Sequence, residues 1–151
     1  MVVGLQEIVL QLQSELPRLL SGRPVLLAYL YGSLARGQST PLSDVDIALV
    51  TERSLPALDR LGLELDVEVE LSAIGLPQAD IRVINQASPA VRGRVVMEGV
   101  LLYCRDDRKR VTFEAQAHAQ YFDLQPVLRE QWPIYLRAAL ADLEARGIYD
   151  R

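Results

Sequence analysis

The chain has 151 residues, of which half are hydrophobic and 24% are charged, proportions typical of a globular protein with one core. The formal net charge of −4 argues against a protein that binds nucleic acid through bulk electrostatics. No stretch approaches the roughly 20 apolar residues needed to span a bilayer, and the N-terminus lacks the positive start of a secretory signal. We therefore expect a cytoplasmic protein with no membrane partner.

The first third of the chain predicts a helix, two strands and the turn and loop between them. Apolar residues at helical spacing indicate an amphipathic helix over residues 3–20. A continuous apolar run over 25–31 is typical of a strand buried on both faces. One helical turn at 34–36 and a polar loop at 37–43 then lead to a second strand at 45–50.

The middle of the chain predicts a second long helix, with Ser54 as its N-cap. Its apolar stripe continues through Leu58, Leu61, Leu65 and Val69. Residues 66–71 alternate like a strand, so two interpretations of that boundary stay open. Beyond it the pattern predicts a third strand, a helix that begins at Ser88-Pro89 and is capped by Gly99, and a fourth strand, at residues 79–84, 88–98 and 100–104.

The C-terminal part, from Asp107 to about Arg146, has a helical pattern that Pro126 and Pro133 are expected to break or kink. The predicted fold class is therefore α/β (α+β), with a small mixed sheet of about four strands, flanking helices and a helical tail. We expect a core at residues 1–106 and a helical extension at 107–151. The extension either joins the same compact unit or docks on a partner.

Several conspicuous residues favour structural roles. Cys104, the single cysteine, is predicted to be a small buried hydrophobe. The arginines and lysine at 105–110 are interrupted by Asp106 and Asp107, which favours a solvated turn and helix start. His118 favours packing or a helix surface. The tail aromatics are expected in packing or a protein interface: Tyr121, Phe122, Trp132 and Tyr135.

Two aspartates carry the first sign of chemistry. Alternation along the second strand is expected to put Asp44 and Asp46 on one face. Two adjacent carboxylates repel each other unless a cation lies between them. Hard, anionic oxygens suit Mg²⁺, which commonly takes one or two carboxylates plus substrate phosphates. Asp-x-Asp alone is common in surface turns, so its neighbours must support this interpretation.

Gly32-Ser33, at the end of the first strand, supplies the complementary half. Gly32 lets the backbone approach a phosphate closely, and amides at a helix start together with the Ser33 hydroxyl can hold a polyphosphate. Nucleotidyl transfer needs the α-phosphate in line with the attacking oxygen and its charge neutralised, which a two-metal clamp provides. The combination predicts a metal–nucleotide site.

Gly32-Ser33, ten intervening residues and Asp44-x-Asp46 together resemble the signature of the DNA polymerase beta-like nucleotidyltransferase superfamily. The sequence over residues 25–104 is most similar to the minimal nucleotidyltransferases, the MNT antitoxins of HEPN/MNT toxin–antitoxin pairs. The resemblance implies two Mg²⁺ ions, ATP as substrate and a third carboxylate from a later strand of the same sheet. Asp80 matches that carboxylate, which would ligate metal and help deprotonate an acceptor hydroxyl.

Asp80 also admits a simpler interpretation as a turn residue at strand entry, and Asp66 is a poorer match for the third carboxylate. The family more often shows Val-Asp-Leu-Val here, so Arg82 is a departure; its side chain is expected to point the same way as Asp80, toward phosphate or solvent. Arg36 continues the resemblance, and either contacts the triphosphate or forms a salt bridge with an aspartate of the loop.

The resemblance implies transfer of AMP to a tyrosine of a HEPN ribonuclease toxin, which is thereby silenced, in a hetero-oligomer without direct nucleic-acid contact. The chain lacks room for large domains that select tRNA or DNA, which favours a protein acceptor. Two alternatives stay open: an antitoxin that blocks its HEPN partner without catalysis, and a small-molecule nucleotidyltransferase of the aminoglycoside-modifying type. The sequence does not fix the nucleotide, the number of AMP units or the oligomeric state.

Overall fold

A computed structural model describes residues 4–38, 44–76 and 78–145, apart from the side chains at 127, 128, 132, 143 and 144. Helices and strands follow one another in these described ranges in the order α1 (Leu5–Leu19), β1 (Val25–Tyr31), α2 (Gly32–Ala35), β2 (Val45–Thr51), α3 (Ala57–Ala73), β3 (Ala79–Val83), α4 (Pro89–Glu98), β4 (Val100–Cys104) and α5 (Asp107–Ala145).

The four strands form one mixed sheet in the order β3-β2-β1-β4. β1 pairs antiparallel with β2 and β4, whereas β2 and β3 are parallel. The first six residues of β1 are buried, as expected for a strand covered on both faces. The predicted mixed α/β fold is thus confirmed.

Two hydrophobic layers cover the sheet. Below one face, α1 and α3 pack their apolar side chains against β1 and β2. α4 and α5 cover the other face of the sheet. Tyr29 of β1 and Val95 of α4 are buried in this layer. The carboxyl-terminal end of β1 and the beginnings of β2 and β3 lie at one end of this sandwich, because β2 runs antiparallel to β1 and parallel to β3.

The prediction for the apolar stripe of α3 was wrong. The stripe Leu58, Leu61, Leu65 and Val69 is exposed, and the core face consists of Leu63, Val67 and Leu71. α3 therefore has two apolar faces, and periodicity alone favoured the one that faces solvent. The strand alternative for residues 66–71 is also wrong, because the helix continues to Ala73.

The predicted N-cap of α4 is confirmed, whereas the predicted N-cap of α3 is wrong. Ser88 is the N-cap of α4 and its hydroxyl accepts a hydrogen bond from the Val91 amide at 3.3 Å. α3, in contrast, has Pro56 as its N-cap instead of the predicted Ser54. The Pro56 ring fixes a backbone angle that suits a helix entry, so the chain enters α3 two residues later than predicted.

α5 continues from Asp107 to Ala145 without ending at Pro126 or Pro133, so a break there is wrong, and the alternative, a kink, stays a prediction. Both prolines are exposed, where water can bond the carbonyl groups that they leave unpaired. The predicted solvated start is confirmed, because the Asp106 carboxylate accepts hydrogen bonds from the Arg108 and Lys109 amides.

A partly buried chain of polar side chains anchors the N-terminal half of α5 to the sheet. The Tyr29 hydroxyl donates to Glu114 Oε1 at 2.8 Å, and Arg110 donates to Glu114 Oε2 at 3.0 Å. Burial first, and then the Glu114 carboxylate, raise the pKa of Tyr29. The tyrosine therefore stays a neutral donor to the charged Glu114, in a bond that fixes the position of α5.

The sequence also predicted structural roles for single residues in the second half of the chain. Cys104 is half-buried rather than buried, and its thiol donates to Asp107 at 3.5 Å. His118 stacks on Phe122 with ring centroids 6.1 Å apart, which agrees with a packing role. The side chain of Trp132 lies outside the described residues. Among the described helices, none combines the length and hydrophobicity that a membrane span requires.

Gly93 sets how closely α4 and α5 approach. A Cβ atom at this position would lie 2.5 Å from Tyr121 Cβ and 2.6 Å from its Cγ. Contacts that short require the two helices to move apart, so the absence of a side chain at Gly93 lets the Tyr121 ring pack against α4.

We expect Gly93→Ala to lower the free energy of unfolding by about 1–3 kcal/mol through overpacking. Urea denaturation of the purified protein measures the change. Gly62→Ala is the matched control, because Gly62 lies in α3 and a Cβ atom added there would have nothing within 4 Å. It should raise the free energy of unfolding by up to about 1 kcal/mol. Equal responses of the two variants would show that the contact with Tyr121 is not limiting.

Candidate active site

Gly32 closes the end of β1 in a conformation that few other residues adopt. Its φ angle is +75°, and a Cβ atom there would overlap Asp46 Oδ2 and lie 3.2 Å from Asp46 Cγ. The register explains the contact, because Tyr31 pairs with Asp46 across β1 and β2. Glycine is therefore required at this position both for the backbone angle and for the approach of the carboxylate.

Asp46 and Asp80 are neighbours across the parallel pair β2 and β3, in direct register. Strands in a sheet lie about 4.8 Å apart, so the two carboxylates are held within each other's electrostatic field. Burial, then Asp80, then Asp44 raise the pKa of Asp46 above its ordinary value. The folded protein thus places negative charges together at a partly buried Asp46.

Asp44 lies one residue before β2 and is exposed, so it precedes the strand rather than belonging to it. Its negative charge still contributes to the raised pKa of Asp46. Most of the predicted polar loop, residues 39–43, lies outside the described residues.

A divalent cation fits the Asp46–Asp80 pair in chemistry, although the three aspartates do not form a closed cage. Within residues 4–38, 44–76 and 78–145, no three His, Cys, Asp or Glu side chains lie close enough to hold a metal ion. Mg²⁺ needs only one or two carboxylates when substrate phosphates complete its shell. Two hard, repelling carboxylates side by side meet that need, and Asp44 precedes one of them, Asp46, by two residues.

The predicted phosphate-binding residues occupy the turn beside this pair. Ser33 is half-buried at the second position of α2, and its carbonyl accepts from the Gln38 amide at 2.9 Å. Arg36 ends the turn and donates to Glu98 Oε2 of α4 at 3.4 Å. The predicted salt bridge between Arg36 and a loop aspartate is therefore wrong, since the carboxylate partner belongs to α4. The positive charge of Arg36 nevertheless lowers the pKa of Asp46, although burial and the neighbouring aspartates, which raise that pKa, have the larger effect.

Arg82, the departure from the family pattern, points the same way as Asp80, as expected. Its Nε donates to Asp80 Oδ1 at 3.2 Å, and its side chain is 64% exposed. The guanidinium therefore sits on the solvent side of the carboxylate pair and partly offsets its negative charge. Arg82, like Arg36, lowers the pKa of Asp46.

Sequence reasoning missed the residues that α4 and β1 contribute. A cavity of about 200 Å³ borders the Gly32 turn, and its polar lining includes Tyr31, Arg94 and Glu98 as well as Arg36. Burial, Asp46 and Asp80 raise the pKa of Tyr31. The position of Tyr31, directly before Gly32, could have indicated that its side chain lies near the site. No pattern in the sequence indicates that α4 packs beside this turn.

A family model described as polymerase beta, nucleotidyltransferase, matches residues 14–108. The chain therefore belongs to the polymerase beta nucleotidyltransferase family, and the predicted family and enzyme class are confirmed. No curated protein sequence has significant similarity to the chain.

Two solved structures with a similar fold are toxin–antitoxin complexes. A toxin–antitoxin crystal structure with AMP-PNP matches at a TM-score of 0.62 and 23% identity, covering 84% of this chain and 98% of that chain. A tri-AMPylated Shewanella oneidensis HEPN toxin in complex with MNT antitoxin matches at a TM-score of 0.61 and 21% identity, covering 87% and 98%. At these identities the likeness establishes the fold.

We expect Gly32→Ala to reduce nucleotidyl transfer by about 100-fold, because the new methyl group displaces the Asp46 carboxylate. It should also lower the free energy of unfolding by about 1–2 kcal/mol, the usual cost of a positive φ angle. The measurements are a transfer assay with labelled nucleotide and urea denaturation.

Gly75→Ala separates the two effects. Gly75 has a φ angle of +96°, but a Cβ atom added there would have nothing within 4 Å. The control variant should lose similar stability and keep its activity. Equal losses of activity in both variants would mean that backbone strain, rather than contact with Asp46, limits the reaction.

The raised pKa of Asp46 predicts how stability changes with pH in the absence of metal. Because the folded protein holds this proton more tightly than the unfolded chain, stability falls as pH rises from the unfolded pKa through the folded one. Asp46→Asn should therefore raise the free energy of unfolding at neutral pH, and the gain should vanish below the ordinary aspartate pKa. Urea denaturation across pH, with EDTA present, measures this difference.

Asp123→Asn, an exposed position on α5, controls for the loss of one negative charge. A gain of stability in Asp46→Asn that persists unchanged at low pH would contradict the electrostatic origin.

Proposed function

We propose that this protein is a Mg²⁺-dependent adenylyltransferase that transfers AMP from ATP to a tyrosine hydroxyl of a HEPN ribonuclease toxin, and so acts as its antitoxin in the cytoplasm. The observation that carries the proposal is the Asp46–Asp80 pair beside the Gly32 turn. A repelling carboxylate pair next to a tight glycine turn suits a cation and a polyphosphate together.

The turn is proposed to hold the nucleotide. Gly32 makes the turn beside the Asp46 carboxylate, and the Ser33 hydroxyl lies at the next position, where amides at the start of α2 could also meet a phosphate. Arg36 is a third candidate for phosphate binding, and would exchange its exposed 3.4 Å contact with Glu98 for the triphosphate. That contact is weak at the surface, so the exchange costs little free energy.

In the proposed reaction, the acceptor oxygen attacks the α-phosphorus of ATP and forms a new P–O bond. The bond between the α-phosphorus and its bridging oxygen breaks, and pyrophosphate leaves. Asp80 is proposed to take the hydroxyl proton, because it lies on β3, the outer strand, beyond Asp46. When bound, Mg²⁺ held by the Asp46–Asp80 pair, with Asp44 two residues before Asp46 in the chain, would neutralise the charge that develops on the phosphate.

The structural neighbours support a HEPN toxin as the proposed acceptor. One structural neighbour is an MNT antitoxin bound to a tri-AMPylated HEPN toxin, and another contains AMP-PNP. A net charge of −4 fits a protein partner better than direct contact with nucleic acid. We therefore propose a hetero-oligomer with the toxin. The division into residues 1–106 and 107–151 stays a prediction.

The test incubates the protein with labelled ATP, Mg²⁺ and the HEPN protein from the same genome. Label should appear on the HEPN protein and disappear with Asp44→Asn/Asp46→Asn, and toxin ribonuclease activity should fall only when label is present. Loss of both carboxylates is expected to reduce transfer by at least about 100-fold, because their electrostatic contribution is removed.

Asp123→Asn, which changes one exposed carboxylate on α5, should label the toxin like the unmodified protein. Inhibition of the toxin by the double variant, without any label, would replace this proposal with a binding antitoxin. A parallel incubation contains an aminoglycoside in place of the HEPN protein. Label on the aminoglycoside, with none on the HEPN protein, would indicate a small-molecule enzyme.

A further inference from the structure

The outer face of α3 carries an apolar stripe that the fold does not use. Leu58 and Val69 are 82% and 68% exposed, and Leu61 and Leu65 are each 49% exposed. At 3.6 residues per turn, this stripe lies roughly opposite the core face of the same helix. We call Leu58, Leu61, Leu65 and Val69 the outer stripe; it extends about 16 Å along α3.

The outer stripe reaches the acceptor side of the site. A cavity of about 500 Å³ lies between α3 and β3, and its lining includes Leu58, Leu61, Glu64 and Arg82. Arg82 also donates to Asp80 at 3.2 Å. A molecule seated in this cavity would therefore contact Arg82, the hydrogen-bond partner of the carboxylate that is proposed to deprotonate the acceptor.

The edge of β3 is closed to an added strand. Glu64 Oε1 accepts from the Val83 amide at 3.0 Å, and Glu68 Oε1 accepts from the Ile81 amide at 3.3 Å. These side chains occupy the outward amides that an incoming strand would need. A partner must instead dock through side chains on the helix face.

Charge selects the kind of partner. α3 contains five carboxylates and one arginine: Asp59, Glu64, Asp66, Glu68 and Glu70 against Arg60. Glu70 forms an ion pair with Arg23, which leaves four carboxylates on this helix without a basic partner among the ion pairs described. These carboxylates lie on both sides of the outer stripe around the helix. A second copy of α3 would bring acidic flanks against acidic flanks, which disfavours self-association, whereas basic side chains beside an apolar face are complementary.

We propose that the outer stripe and the adjoining cavity bind a basic amphipathic helix of the acceptor protein and so deliver its hydroxyl to Asp80. The inference rests on the proposed function for the identity of that acceptor. Helical spacing of the stripe fits an apolar helix face laid along it, and the charges of α3 set the preference for lysine and arginine at its borders.

The test compares Leu61→Glu/Leu65→Glu with the matched control Met97→Glu/Val111→Glu, which changes two exposed apolar residues on α4 and α5. Binding to the HEPN protein from the same genome is measured by titration calorimetry, and transfer of labelled AMP by its kcat/KM. We expect at least about tenfold weaker binding and about tenfold lower kcat/KM for the stripe variant only, because two buried charges would enter an apolar contact. Its affinity for Mg²⁺ and a fluorescent ATP analogue should match that of the unmodified protein.

The charge component has its own measurement. Asp59→Asn/Asp66→Asn should weaken binding of the HEPN protein and make it less sensitive to added salt. These two carboxylates take no part in the proposed chemistry, so nucleotide binding should not change.

Wild-type affinity of the stripe variant for the HEPN protein would overturn the docking proposal, as would absence of binding by the unmodified protein. A dimer of the isolated protein that the stripe variant dissociates, with toxin binding intact, would assign the stripe to a second copy and also overturn it. Binding that depends on the stripe but yields no AMP transfer would leave docking intact and reject the proposed function. Transfer at wild-type kcat/KM by the stripe variant would overturn the docking proposal and leave the proposed function intact.

Discussion

The close approach of Gly32 to the Asp46 carboxylate is the constraint on which the candidate site depends. The antiparallel register sets Tyr31 opposite Asp46, so β1 turns into α2 directly beside the side chain of Asp46. A positive φ angle at Gly32 makes that turn, and the missing Cβ leaves space for the carboxylate. Strand pairing that buries the core therefore also joins the proposed phosphate turn to the proposed metal ligands.

The electrostatics of the site oppose the stability of the fold. Asp46 and Asp80 are adjacent in register, and the raised pKa of Asp46 records the cost of holding an ionised carboxylate there. Arg36 and Arg82 act in the opposite direction, but each also has a carboxylate partner, Glu98 and Asp80 respectively. Such a balance is expected where a site is arranged for a cation and phosphates rather than for the folded chain alone.

The helices on the two faces of the sheet have different roles. α4 and α5 are locked together at Gly93 and anchored to the sheet through Tyr29 and Glu114, so this layer positions the cavity beside the Gly32 turn. α3, by contrast, uses one apolar face for the core and exposes another with acidic borders. The net charge of −4, which as a composition value only argued against nucleic acid, is concentrated on this helix and becomes a local preference for a basic partner.

The sequence by itself determined the order of helices and strands, the buried β1 and the pattern of Gly32-Ser33 followed by Asp44 and Asp46, because each depends on local spacing. Asp80 was predicted from the family resemblance rather than from spacing. It could not choose between the two apolar faces of α3, since both satisfy helical periodicity and only packing against the sheet selects Leu63 over Leu61. Tertiary structure alone decided that Asp46 and Asp80 are in direct register and that Arg36 pairs with Glu98. Those contacts join residues more than 30 positions apart, and their geometry is set by how strands align and how α4 crosses the sheet, which no local pattern encodes.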